Sequence, residues 1–175
     1  MQDLTVVFDL DGTLVDTAPD LVRATNHAIA SAGLPAVAAG LIRPTVRHGA
    51  RAMIEHALEI HGRTLDELEV DKLLDTFLDF YSANIAVESR PFPDVPVVLK
   101  RMRDNGTRLA VCTNKREGMS RKLLAELDLL KLFDAVVGRD TLPVHKPDPG
   151  HLIGTIILAD GNLGNAVMVG DSEVD

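Results

Sequence analysis

Two aspartates, Asp9 and Asp11, stand two residues apart at the end of the apolar run Val6-Val7-Phe8 and lead into the turn Gly12-Thr13. Side chains two apart on an extended backbone point the same way, so the two carboxylates are expected to face one small volume. Crowding two acids costs Coulomb energy unless a cation binds beside them or one of them keeps its proton. Either solution supports chemistry, as a metal site or as an acid next to a nucleophile. Three more polar clusters accompany the pair: Thr113-Asn114-Lys115, Lys146-Pro147-Asp148-Pro149 and Gly170-Asp171-Ser172-Glu173-Val174-Asp175. In isolation each is ordinary. Aspartate and glycine form turns, a lone lysine is usually solvated, and Thr113, Asn114, Asp171 or Asp175 could each cap a helix.

Short apolar runs must position these groups. Leu109-Ala110-Val111-Cys112, Ala135-Val136-Val137 and Ala166-Val167-Met168-Val169 read as strands after the first, and each polar cluster follows one of the four runs. Helices are expected between them: one through Val97, Val98 and Met102, one carrying Leu123, Leu124 and Leu127, and one from Pro149 to about Ala159. The alternation predicts an α/β fold with a doubly wound, Rossmann-like parallel sheet, covered on both faces, with ligands at the carboxyl ends of the strands.

From Thr17 to about Val87 the periodicity is helical. Thr17 is placed to cap a first helix with Pro19 and Asp20 in its opening turn, so that Asp16 and Asp20 read as helix-start residues. Met53, Ile54, Ala57 and Leu58 mark one apolar helix face, and Val70, Leu73, Leu74, Phe77, Leu78 and Tyr81 a stronger one. A polar loop runs from Arg43 to Arg51, and Arg90-Pro91-Phe92-Pro93 marks the return. The expected organisation is an α/β core of residues 1–16 and 87–175 carrying a small helical cap at residues 17–86.

Twenty-six acidic against 18 basic residues leave a formal charge of −8, which disfavours nucleic acid or an anionic membrane as partner. Five phenylalanines, one tyrosine and no tryptophan do not make a base-stacking platform. One cysteine, Cys112, excludes an intrachain disulfide and reads as a buried structural thiol in a reducing compartment. With no leader pattern and no long apolar stretch, a cytoplasmic protein is expected, monomeric or homodimeric, acting on a small metabolite.

The ordered set of four clusters, with a helical insertion directly after the first, resembles the haloacid dehalogenase-like hydrolase superfamily, and within it the phosphoglycolate phosphatase group. The resemblance spans essentially the whole chain. It implies a phosphoric monoester hydrolase in which Asp9 attacks a phosphate ester and becomes an aspartyl-phosphate, while Asp11 protonates the leaving alkoxide and then activates water. It implies Mg²⁺ held by Asp9, the main-chain carbonyl of Asp11 and Asp171, with Asp175 supporting the metal shell. Thr113 and Asn114 would meet the phosphoryl group, Lys146 would neutralise its charge, and Gly12, Thr13 and Gly170 would shape the loops.

In the cap, Arg47 and Arg51 are the candidates to grip a carboxylate of the substrate, as 2-phosphoglycolate would offer. Arg47 stands where the group often has the first glycine of a Gly-x-Gly turn. Members of the family also continue past the last motif with a further helix and strand, so an end at Asp175 implies a sheet truncated at its C-terminus and weakened stability. A phosphomutase of the β-phosphoglucomutase type would use the same aspartate pair, and an inactive phosphate-binding module is a third reading. Dehalogenase chemistry is disfavoured because it does not need the acid that Asp11 supplies.

Overall fold

A computed structural model describes residues 4–175. The chain divides into two compact units, one made of the residues up to Asp16 together with Arg90–Asp175, the other of Thr17–Ser89.

In the first unit, β1 (Thr5–Phe8) runs to the aspartate pair, and a two-residue ladder joins β2 (Val15–Asp16) to the returning β3 (Arg90–Pro91). This ladder corrects the reading of Asp16 as a helix-start residue, because two-residue strands carry no periodicity that a sequence can display. Helix α5 (Val95–Asp104) precedes β4 (Arg108–Cys112), α6 (Glu117–Glu126) precedes β5 (Ala135–Val137), and α7 (Pro149–Leu158) precedes β6 (Ala166–Val169). All pairings in the main sheet are parallel, in the order β5-β4-β1-β6. Parallel strands covered on both faces need continuous apolar sequence. Accordingly β1 and β5 are buried throughout and β4 from Leu109 onward, with Val7, Ala110, Cys112, Val137, Ile156 and Ala159 packed into one cluster. On β6, at an edge of this sheet, Val167 and Val169 are exposed.

The second unit is helical: α1 (Ala18–Ser31), a short α2 (Ala39–Ile42), α3 (Ala50–Ile60) and α4 (Glu67–Ala83). Helix α4 starts at a capping box in which Asp66 accepts the Glu69 N–H at 2.9 Å and Glu69 accepts that of Asp66 at 3.1 Å. Its stripe Val70, Leu73, Phe77 and Tyr81 is buried. The segment expected as a polar loop is ordered helix instead: Arg43–His48 form a 3₁₀ turn, Gly49 breaks it at φ +89°, and Arg51 lies in the first turn of α3. Pro44 suits the first turn of such a helix, and glycine alone takes that φ without strain. Thr17 stands at the start of α1 with no side-chain capping bond.

Asp20 does more than start a helix. Its carboxylate is 1 % exposed, and Oδ2 accepts the N–H groups of Glu88 and Ser89 at 2.9 and 2.8 Å and the Ser89 hydroxyl at 2.8 Å. Arg23 bonds Oδ1 at 2.7 Å. Asp20 thus fastens the last residues of this unit onto its first helix. Burial pushes the Asp20 carboxyl up, but these donors outweigh it and hold it below the usual carboxylate range. A carboxyl depressed in the folded state stabilises above its unfolded pKa of about 3.9 and loses that contribution as pH falls through the folded value. Asp20→Ala is expected to cost about 3 kcal/mol, a fall in Tm of about 6–12 °C near neutrality. In thermal melts the gap between wild type and Asp20→Asn should narrow as pH drops below about 4.

Candidate active site

The carboxyl ends of β1, β4, β5 and β6 carry the four polar clusters. Asp9 directly follows β1, is 8 % exposed, and its N–H bonds the Val169 carbonyl at 2.9 Å, which ties the end of β1 to that of β6. The chain then reverses: Gly12 takes φ +86°, its N–H bonds the Val15 carbonyl, and Leu14 N–H bonds that of Leu10. Gly12 meets two demands at once, since a Cβ there would also stand 2.6 Å from Oδ2 of Asp171. Thr13 donates its hydroxyl to Asp171 Oδ1 at 3.1 Å, so it orients Asp171. Gly170 is equally constrained, because a Cβ would overlap the Asp175 carboxylate. Asp9, Asp171 and Asp175 each place one carboxylate oxygen so that the three lie within 4.8 Å of one another.

Two buried lysines meet these acids. Lys146 Nζ donates to Asp9 Oδ1 at 2.8 Å and also to Asp175 Oδ1. Burial pulls the Lys146 ammonium down, and the two carboxylates more than restore it, so its pKa lies above the ordinary lysine value. Burial, with the neighbouring charge of Asp11, holds Asp9 above the usual carboxylate range despite Lys146. Asp175 is buried as well, yet Lys146 and the Ser172 hydroxyl and N–H hold it low. Lys115, whose side chain is 7 % exposed, places Nζ 2.9 Å from both Oδ1 and Oδ2 of Asp11. The two aspartates of the opening motif are therefore held by different ammonium groups.

The loop that carries Lys115 is braced along its length. The Lys115 N–H donates to Thr113 Oγ1 at 3.2 Å, and its carbonyl accepts from the Arg139 N–H at 3.1 Å. Asn114 donates its side-chain amide to the Lys146 carbonyl at 3.1 Å, linking the two lysine loops. Beneath them His151 Nε2 lies 3.1 Å from the Gly138 carbonyl and Nδ1 lies 3.3 Å from Cys112 Sγ. A carbonyl only accepts, so Nε2 carries the hydrogen and Nδ1 receives the thiol's. Burial lowers His151 and raises Cys112, which keeps both neutral and makes this pair a support for the loop.

A family model described as haloacid dehalogenase-like hydrolase matches residues 6–175. The chain belongs to the haloacid dehalogenase-like hydrolases. Within them it falls in the phosphoglycolate phosphatase group. A protein named phosphoglycolate phosphatase from Mesorhizobium japonicum is 49 % identical over 97 % of this chain and 75 % of its own length. One of the same name from Caulobacter vibrioides is 44 % identical over 98 % of this chain and 72 % of its own. A crystal structure described as a predicted phosphoglycolate phosphatase from Haemophilus somnus superposes with a TM-score of 0.89 at 29 % identity, covering all of this chain and 80 % of that one. The protein is accordingly a phosphoric monoester hydrolase. Among the described residues no helix is long and apolar enough to cross a membrane.

Within this haloacid dehalogenase-like core the structure brings Asp9, Lys146, Asp171 and Asp175 into one cluster and sets Asp11 on Lys115, whose N–H Thr113 accepts. Thr13, expected from sequence to shape its loop, holds Asp171. The Asn114 amide turns to the backbone of Lys146. Arg47 and Arg51 belong to the other unit, where Arg51 pairs with Asp71 and Glu55 and Arg47 Nε donates to His48 Nε2 at 3.2 Å. Lys115 received no role from sequence, although it closes the Thr113-Asn114-Lys115 cluster, because a lysine in a loop reads as solvated. The brace beneath it can be tested through Gly138, where a Cβ would lie 2.7 Å from the Lys115 carbonyl and would overlap the Glu117 nitrogen. Gly138→Ala is expected to lower Tm by about 4–8 °C and phosphatase kcat/KM by about 10-fold or more. Thermal melts and steady-state kinetics on the same preparation check both.

Proposed function

We propose that this protein is a Mg²⁺-dependent phosphatase of small phosphate monoesters, with 2-phosphoglycolate as substrate, working through Asp9 as nucleophile. The observation that carries this reading is the division of labour at the end of β1: Asp9 sits with Asp171, Asp175 and Lys146, whereas Asp11 sits with Lys115. The nucleophile and the acid must act at different moments, and separate ammonium partners let one carboxyl be released without disturbing the other.

The donor set fits Mg²⁺. Opposite ligands of an octahedral ion at 2.0–2.1 Å lie about 4.2 Å apart, and three hard carboxylate oxygens already fall within 4.8 Å of one another. Asp9 and Asp171 are the side chains that would hold the ion, with Asp175 behind them on Lys146 and Ser172. When bound, the ion supplies positive charge that keeps Asp9 ionised and draws a phosphate dianion toward it.

The rest falls to the chain. Asp9 forms a bond to phosphorus as the ester oxygen leaves; Asp11, once off the Lys115 ammonium, takes a proton from solvent and gives it to that oxygen, and then takes one from the water that hydrolyses the aspartyl-phosphate. Lys146, already on Asp9 Oδ1, offsets charge on the phosphoryl oxygens during transfer. Asp11 must leave Lys115 before it faces the ester oxygen. A panel of phosphate esters assayed with and without Mg²⁺, beside Asp9→Asn, tests the scheme. Turnover should require the metal, and the variant should lose about 1,000-fold or more in kcat. Metal-independent turnover, or full activity in Asp9→Asn, refutes it.

A further inference from the structure

We propose that Lys115 is the specificity-determining residue of this site, and that it takes the carboxylate of an anionic leaving group in exchange for the carboxylate of Asp11. The proposal rests on the phosphatase reading above and adds to it the part of the substrate that Lys115 recognises.

Three observations support it. First, the Lys115 side chain is largely buried and its ammonium lies at 2.9 Å from both oxygens of Asp11, the residue assigned to the leaving oxygen. Whatever group departs with that oxygen is therefore delivered beside Lys115. In 2-phosphoglycolate the carboxylate is attached to the carbon that carries the ester oxygen, so it arrives within a few ångströms of the place Asp11 must occupy. Second, the backbone of Lys115 is fixed at both ends by Thr113 Oγ1 and the Arg139 N–H, and its carbonyl lies close against Gly138. The side chain can swing on its flexible stem while its root stays in place.

Third, the exchange conserves charge. A buried ammonium that loses its carboxylate without a replacement incurs a desolvation penalty of several kcal/mol. A substrate with an anionic tail replaces one carboxylate with another and releases Asp11 at little electrostatic cost. A neutral tail offers no such replacement, so Lys115 keeps Asp11. The ion pair then acts as a lock that an anionic leaving group opens, and selectivity arises beside the reacting atoms.

The experiment compares 2-phosphoglycolate with 2-hydroxyethyl phosphate, an analogue of the same length whose tail is uncharged, in wild type, Lys115→Met and Lys115→Arg, with thermal melts of all three. Wild type is expected to favour 2-phosphoglycolate by about 100-fold in kcat/KM. Lys115→Met should lose about 100-fold on 2-phosphoglycolate, chiefly through KM, and gain on the neutral ester because Asp11 is no longer held, whereas Lys115→Arg should recover part of the selectivity. Equal losses on both esters in a folded Lys115→Met, or a wild type that does not distinguish them, overturn the Lys115 assignment and leave the phosphatase reading standing. A wild type that hydrolyses neither ester with Mg²⁺ overturns both. If Lys115→Met fails to fold, the wild-type preference and the Lys115→Arg selectivity decide between the same outcomes.

Discussion

Four carboxylates, Asp9, Asp11, Asp171 and Asp175, are gathered at the ends of two adjacent parallel strands, and the arrangement stands only because two buried lysines and a set of hydroxyl and amide donors compensate them. Parallel pairing of β1 with β6 makes the crowding unavoidable. The register that sets Phe8 opposite Val169 also sets the residues after each strand side by side. Like charges at such range would oppose folding, and the opposite charges must come from strands on the other side. They do: Lys115 follows β4 and Lys146 lies in the loop after β5, so every strand of the sheet contributes to the balance.

The balance explains the glycines. Gly12, Gly138 and Gly170 each stand where a Cβ would meet a charged side chain or the backbone that carries one. Polar groups can be packed this closely only if the backbone gives way. Loop shape and electrostatics are one problem here: removing a methyl's worth of space from the turn brings an acid within reach of its donor. The Cys112–His151 pair extends the same logic inward, where a neutral thiol and imidazole give the Gly138 carbonyl a partner without adding charge to a site that already holds much.

The central fold was legible because its strands are buried on both faces. Val6–Phe8, Leu109–Cys112, Ala135–Val137 and Ala166–Val169 are apolar runs bounded by turn residues, and the strands fall there within a residue. The α4 stripe was legible for a matching reason, with period 3.6 replacing continuity. What stayed hidden depends on partners far away in sequence. The β2–β3 ladder joins residues 15–16 to 90–91, Asp20 meets Ser89 across 69 positions, and Lys115 meets Asp11 across 104. No local pattern reports such pairs. The segment from Arg43 to Arg51 was misread for the opposite reason: its polarity suggested a loop, although exposed helical turns are polar too.

The choice of lysine at both cationic positions follows from what the site must do. An arginine fork would bind either carboxylate more firmly and in one fixed plane, which suits permanent recognition. Lys146 instead spans two acids, Asp9 and Asp175, from one nitrogen with three rotatable donors, which leaves one donor for the phosphoryl oxygen of the proposed reaction. Lys115 holds Asp11 through the same compact head on a flexible stem. A group that must release one carboxylate and accept another during turnover needs a small charge that pivots, and a guanidinium would have to break two parallel bonds to do so. The ammonium therefore supplies the neutralisation that folding requires without fixing the acid in place.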